Sequence, residues 1–555
     1  MRGRDVVCHT NRLPLRAVSH VSRWIARAAV PLLALALAAF VWADNAINRG
    51  VTFGPDAPAV PRAGGPQLGV NLYNIQFEPD PAVVTRTLAL ARAMGASHVR
   101  LQMPWDDVEI HARGDFEDRR NEPPRDAWAK YDWIIAETTR LGLQPIVRVD
   151  RAPAWSRPRG DAEPAYQAGR AENGNSTGPP DDYADFARFM GAAAARYQGR
   201  VRYWQLWNEP NLAYEWGWRL PEPERFVTLL AAAAQAVRTA DPQARVLFPS
   251  LSPTDGLEPR IAPMTELEYL ERVYAAGGAA YFDIMSAQAY GLGQPPDEHR
   301  YVRPRPLWRR PIDTRIDVSR VVLLREVMER NGDAATPVWI GEFGYVADAP
   351  TIPPERRRTW GEPVAEDLRA AYTVGQLERA RREWPWIGVM NVWFLRWGGY
   401  QEPDPQDPTQ YFALVSRDWA PLPTYNALRD WAATPATAGP GAHSWSHPAV
   451  AAQGAGAWQI RFDGNALSLA SPVPATVTID GGAPLRVEPG AALVLVASSL
   501  ADGTHTALVQ AAQPPTTFGV AVDHAPRWLW EAGALLLIGA MALAGALAFA
   551  PRRRL

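Results

Sequence analysis

The sequence predicts an α/β protein: a (β/α)₈, or TIM, barrel over residues 67–434, followed by a small all-β, sandwich-like domain over 451–525. Two observations carry this. From Gln67 onward, short β-like runs alternate eight times with longer amphipathic stretches, which calls for a parallel sheet, and eight units over a domain of this length fit a barrel. After residue 451 the period changes to two, and Gly-containing turn pairs punctuate the runs. A doubly wound open sheet is the alternative for the first domain, but no Gly-x-Gly-x-x-Gly turn supports it.

The eight strand runs are LGVNLY (68–73), HVRLQMPW (98–105), PIVRVD (145–150), RYWQLWNEP (202–210), RVLFPSL (245–251), FDIMSAQAYG (282–291), PVWIGEFGY (337–345) and IGVMNVWFLRW (387–397). The helical period is plain in the third intervening stretch. There Tyr183, Phe186, Phe189, Met190, Ala193, Ala194 and Tyr197 share one face, and Asp181 and Asp182 are candidate caps. In the second domain Trp458, Ile460 and Phe462 alternate with polar neighbours, as do Val477 and Ile479, and Leu485 and Val487. Two Pro-, Gly- and Ala-rich stretches, 44–66 and 435–450, read as linkers.

The chain of 555 residues ends at both sides in apolar runs. Residues 28–43 carry no charge and follow a basic segment, so 1–43 reads as a cytoplasmic basic segment plus an N-terminal membrane anchor or signal peptide. Residues 532–550 are long enough to span about 28 Å, so 528–550 reads as a C-terminal transmembrane helix with Trp528 and Trp530 as interfacial anchors. The tail, 551–555, holds Arg552, Arg553 and Arg554. Positive charge outside both runs places the termini in the cytoplasm and everything between them outside, at the cell membrane. The expected partners are therefore membrane lipid, through the terminal helices, and whatever the barrel acts on.

Composition narrows the rest. The net charge of −2 gives no overall basic signal for nucleic acid. A single cysteine, Cys8, excludes an intrachain disulfide framework and a Cys-based zinc site. Lys130 is the sole lysine, so the 57 basic residues reflect a whole-chain preference for arginine. The arginines of the late loops, Arg300, Arg303, Arg305, Arg309, Arg310 and Arg356 to Arg358, still raise an acidic polysaccharide as substrate.

In a barrel the active site lies at the C-terminal ends of the strands. The fourth run ends Trp207-Asn208-Glu209-Pro210 and the seventh ends Gly341-Glu342-Phe343-Gly344, so two carboxylates reach one rim. A pair of this kind suits glycoside hydrolysis: one acid protonates the leaving oxygen, and the other carboxylate attacks the sugar or activates water. Asn208, beside Glu209, is suited to hydrogen-bond a sugar hydroxyl. Trp105, Trp155, Trp216, Trp218 and Trp397 fall near the same rim and, as a group, suggest a carbohydrate groove. That chemistry calls for no cofactor, and no metal cluster stands out.

The stretch 67–434 resembles the retaining glycoside hydrolases of clan A, and most closely family 39 and membrane-associated exopolysaccharide hydrolases. The resemblance rests on His98-Val99-Arg100-Leu101, Ala152-Pro153-Ala154-Trp155, Trp204-x-x-Trp207-Asn208-Glu209-Pro210, Tyr290 and Trp393. It implies a retaining β-glycosidase acting on a cell-surface or secreted polysaccharide or oligosaccharide. Glu209 would be the acid/base and Glu342 the nucleophile, with Arg100 and Tyr290 on Glu342. Asn208, Trp393 and Trp155 would serve the substrate. Many clan members carry His where this chain has Gln288, so a substrate contact carried over to that position needs its own evidence. A transglycosylase using the same intermediate and a silent polysaccharide-binding barrel are the alternatives.

Overall fold

The computed structural model describes residues 59–522 apart from 121, 174–176, 298–315, 400–401 and 502. Both apolar terminal runs therefore lie outside the described residues, as do Arg300, Arg303, Arg305, Arg309 and Arg310. Among the described residues no helix is long and apolar enough to cross a membrane.

Eight parallel strands form the first domain: β1 (Gln67–Asn71), β2 (His98–Pro104), β3 (Gln144–Asp150), β4 (Tyr203–Leu206), β5 (Arg245–Leu247), β6 (Met285–Tyr290), β7 (Val338–Gly344) and β8 (Ile387–Val392). They pair in the order β5-β4-β3-β2-β1-β8-β7-β6. The ring is completed between β5 and β6 by the single bridges Leu247 to Ile284 and Leu251 to Ala287. A main helix follows each strand: α1 (Pro81–Ala93), α2 (Ala129–Arg140), α3 (Tyr183–Arg196), α4 (Pro223–Ala240), α5 (Glu266–Ala275), α6 (Arg320–Arg330), α7 (Glu366–Glu383) and α8 (Pro423–Ala432). Every strand run read from the sequence is present, and the open-sheet alternative is excluded.

Local rules explain the boundaries. Asp182 caps α3 by accepting from the Ala184 amide, and Phe186, Phe189, Met190, Ala193 and Ala194 are buried. Asp181 serves elsewhere: its carboxylate takes the amides of Arg159 and Gly160, at the start of a short turn of helix after β3. Thr265 and Glu268 form a reciprocal capping box at α5.

One departure from strict alternation decides the chemistry. Trp339 points into the barrel, where it packs with Ile146, Leu247, Ile284 and Val389. Period two would then send Glu342 outward. In β7, however, Ile340 pairs with Ala287 and Glu342 with Gln288, while on the other side Ile340 pairs with Met390 and Phe343 with Val392. Both neighbours find one extra residue in β7, a β-bulge at Gly341, and the bulge turns Glu342 into the mouth. Only glycine fits: a Cβ at Gly341 would lie 2.1 Å from the Ser250 hydroxyl oxygen and 2.9 Å from that of Ser286. Gly341→Ala is expected to cost about 1–3 kcal/mol in urea unfolding and to lower activity by displacing Glu342. Adding Ser250→Ala should restore part of both.

The second domain has four strands ordered β9 (Gly441–Ser444), β17 (Thr517–Ala521), β12 (Ala466–Ser471) and β15 (Gly490–Ala497). Five more run in the order β10 (Val450–Gly454), β11 (Ala457–Asp463), β16 (Thr504–Ala511), β13 (Ala475–Ile479) and β14 (Leu485–Val487). Ile460, Phe462, Leu467, Leu469, Val477, Val509, Phe518 and Val520 share its core. The expected linkers are partly wrong. Residues 441–444 pair with β17, and Ala438 and Ala442 are buried, so the small residues of 435–450 mark close packing rather than a free tether. Likewise Val60 is in the barrel core, and the Arg62 carbonyl accepts from Trp339 Nε1. Leu485 is exposed, against its alternation.

Candidate active site

The strands raise a ring of polar side chains at the C-terminal mouth, at positions two apart along otherwise apolar segments. Glu342 is buried, and both its oxygens are held: Arg100 Nη1 donates to Oε1 and the Tyr290 hydroxyl donates to Oε2, each at 2.9 Å. Arg100 is itself clamped, with Nη1 2.7 Å from Asn71 Oδ1 and Nε 2.9 Å from Gln205 Oε1. Asn71 in turn donates to the Gly341 carbonyl at 2.9 Å, tying the bulge to β1. A buried guanidinium and a phenol on one carboxylate fix its direction.

Glu209 is presented differently. The chain leaves β4 through two left-handed residues, Trp207 at φ 78° and Glu209 at φ 32°. Side chains other than glycine rarely adopt this conformation, and it persists where surrounding packing enforces it. Here Trp207 is fully buried and its Nε1 donates to the Glu215 carbonyl at 3.0 Å. Glu209 Oε1 accepts from Gln288 Nε2 at 2.5 Å. Burial, then the Glu342 and Glu215 carboxylates, push the Glu209 carboxyl up to about 8, while the Gln288 hydrogen bond and Arg148 pull the other way. At neutral pH it holds its proton. β6 thus supplies both partners from one face: Gln288 to one glutamate and Tyr290 to the other.

The raised value has a sign that can be tested. Between about 4.5 and 8 the folded chain keeps a proton on Glu209 that the unfolded chain releases, so this group removes stability as pH rises through that window. Glu209→Gln is expected to lack that slope. Its melting temperature should gain on the native protein's between pH 5 and pH 8, measured by calorimetry in matched buffers.

The other expected site residues divide. Asn208 is fixed at both ends of its amide: Oδ1 accepts from Arg148 Nη1 at 3.2 Å, and Nδ2 donates to Glu215 Oε1 at 2.9 Å. Trp393 lines a pocket of ≈ 50 Å³ with Asn71, Arg100, Gln102 and Arg148, and its Nε1 has no partner among the described residues. Trp155 is half-buried. It packs edge-on against Trp105, and its Nε1 donates to the Glu109 carbonyl at 2.8 Å. Of the grouped indoles, Trp105 and Trp216 are fully buried and belong to the core, which corrects their reading as groove residues. Arg356, Arg357 and Arg358 are occupied by Asp404, Asp348 and Glu362 respectively. Among the described residues no group of three or more His, Cys, Asp and Glu is arranged to hold a metal ion.

No family model matches the chain, and no curated protein does. Among solved structures it is similar to a family 39 glycoside hydrolase from Bacteroides cellulosilyticus, with TM-score 0.48 and 17% identity over 82% of each chain. It is also similar to a monomeric β-xylosidase from Caulobacter crescentus, with TM-score 0.46 and 13% identity over 82% of this chain and 98% of that one. A glucosidase from Croceicoccus marinus gives TM-score 0.43 and 13% identity over 83% and 98%. These likenesses are of backbone course, and the functional reading rests on the site.

Sequence reasoning missed Asn71, Arg148, Gln205 and Glu215. The first three carried a signal: each is a polar residue in a strand that a barrel encloses, and such a residue needs a partner inside. Arg148 also sits two residues before Asp150, 2.8 Å from its carboxylate. Glu215 carried none, because only the fold of the loop after β4 brings it back beneath Asn208.

Proposed function

We propose that the chain is a retaining β-glycosidase that cleaves O-glycosidic bonds of a polysaccharide or oligosaccharide by double displacement. The observation that carries this is the unequal treatment of two glutamates at one barrel mouth. Glu342 is held by a guanidinium and a phenol, while half-buried Glu209 is pushed toward its protonated form. In the first step Glu209 gives that proton to the leaving oxygen as Glu342 Oε attacks the anomeric carbon, and a glycosyl ester forms on Glu342. In the second step Glu209, now a carboxylate, takes a proton from water as the water oxygen displaces Glu342. One group serves as acid and then base because its pKa lies within reach of both states. Asn208, locked by Arg148 and Glu215, presents its remaining amide hydrogen to a sugar hydroxyl, and Trp393 offers an indole wall.

The two charged terminal segments support an outward-facing barrel anchored at the cell membrane, where such a polysaccharide is met. The all-β domain holds to the barrel partly through Arg381 and Asp463, 3.1 Å apart, and contributes no residue named at the site. The reading is tested with a panel of 2,4-dinitrophenyl β-glycosides, following the first product by proton NMR. Release of the β-anomer supports it, and release of the α-anomer, or turnover undiminished in Glu342→Ala, contradicts it.

A further inference from the structure

A second cleft, of ≈ 260 Å³, opens on the same rim, walled by the chain that follows β2, β3 and β4. Its shared wall is Glu215. That carboxylate receives Asn208 Nδ2 at 2.9 Å and Thr177 Oγ1 at 2.7 Å, and it also lines the cleft. The outer wall is the segment after β3, including the helix Pro164–Asn173. The barrel closes without this segment, yet it is firmly seated. Gly169 lies so close to the Trp218 indole that a Cβ there would be 2.2 Å away, and Tyr166 is 3% exposed.

The lining is polar and pre-arranged. Arg157 pairs with Asp161 at 2.9 Å and lies over the Tyr166 ring at 5.2 Å. Arg151 pairs with Asp106 at 3.1 Å. The hydroxyl of half-buried Tyr214 has no hydrogen-bond partner among the described residues. Ion-paired Arg and Asp present donors and acceptors side by side, which suits the adjacent hydroxyls of a sugar, and fixed side chains lose little entropy on binding. Position decides which sugar. The small pocket lined by Arg100 and Trp393 adjoins the group that holds Glu342, and so marks the side of the ring under attack. The second cleft adjoins the loop that carries Glu209, the group that protonates the leaving oxygen.

Resting on the hydrolase reading above, we infer that this cleft binds the leaving-group side of the substrate, so the natural substrate continues past the cleaved bond as an uncharged or weakly charged saccharide chain. The balance of Arg151, Arg157 and Arg170 against Asp106, Asp161 and Glu215 leaves no strong net charge to select an acidic unit.

The test uses the full chain and the sugar on which the dinitrophenyl panel shows turnover. Three substrates are compared: its dinitrophenyl glycoside, its dinitrophenyl β-disaccharide and its unactivated β-linked tetrasaccharide. In Tyr214→Phe combined with Arg170→Ala, kcat/KM for the tetrasaccharide should fall about tenfold relative to either dinitrophenyl substrate, the loss that one to two hydrogen bonds carries. Each single change should give part of it, and both leave buried packing alone. An unchanged ratio overturns the subsite while leaving the hydrolase reading intact. A matching fall on the dinitrophenyl disaccharide overturns the assignment to the leaving-group side. No turnover of any dinitrophenyl glycoside by the native chain overturns the hydrolase reading, and this inference with it.

Discussion

Glu342→Ala is expected to abolish turnover on every substrate, with kcat lower by at least about four orders of magnitude, as when a covalent nucleophile is removed elsewhere. The physical reason is that neither other glutamate at the mouth, among the described residues, is placed to take over its role. Glu209 is engaged by Gln288 and is assigned to the leaving oxygen, and Glu215 is occupied by Asn208 and Thr177. The change also strands Arg100. Its guanidinium is 3% exposed and keeps only Asn71 and Gln205, so a buried charge loses its counter-ion. A stability loss of about 3–5 kcal/mol is expected from that alone. Glu342→Gln keeps the shape and the contact with Tyr290 and so separates the two effects. It should be as inactive as the alanine variant but closer to native in urea unfolding.

Glu209→Ala should behave unlike it. Substrates whose leaving group needs no proton, such as dinitrophenyl glycosides, should still form the intermediate, whereas unactivated saccharides should lose about 10²–10⁴-fold in rate, the usual contribution of a general acid. The second step then stalls for want of a base. Azide, which needs none, should enter the space that Glu209 vacates and release a β-glycosyl azide, restoring turnover in proportion to its concentration. Gln288 loses its acceptor in this variant, a cost of about 1–3 kcal/mol if its amide is left unpaired. Equal losses in the two glutamate variants, with no rescue by azide, would remove the assigned roles.

Much of this was legible before any coordinates. The eight strand runs and both strand-end glutamates are local patterns: apolar runs of strand length, followed by a carboxylate at the edge where barrels place their chemistry. Arg100 and Tyr290 lie on Glu342 as the resemblance implied. What stayed hidden depends on contacts distant in sequence. The bulge at Gly341 is written only as a glycine inside a strand, a mark of many origins, and its effect emerges when two neighbours fix the register. Without it, simple alternation would turn Glu342 out of the mouth. Gln288 shows another limit: its sequence position suggested a substrate contact, and its hydrogen bond to Glu209 emerges only in the fold. Trp105 and Trp216 were misread because nearness to the rim in sequence does not tell which way an indole turns. Trp105 turns inward, where its Nε1 donates to buried Glu109 at 2.7 Å.

Double displacement requires a covalent bond between the sugar and Glu342. The native chain is incubated with the dinitrophenyl 2-deoxy-2-fluoro-β-glycoside of its preferred sugar, which slows both steps but leaves a leaving group good enough for the first. Mass spectrometry of the intact chain and its peptides then locates the label. One fluoroglycosyl unit on the peptide that contains Glu342, lost when Glu342→Ala is treated in the same way, is the predicted result. Release of dinitrophenol in more than one equivalent with no adduct on the chain, or an adduct mapped to Glu209, would contradict it.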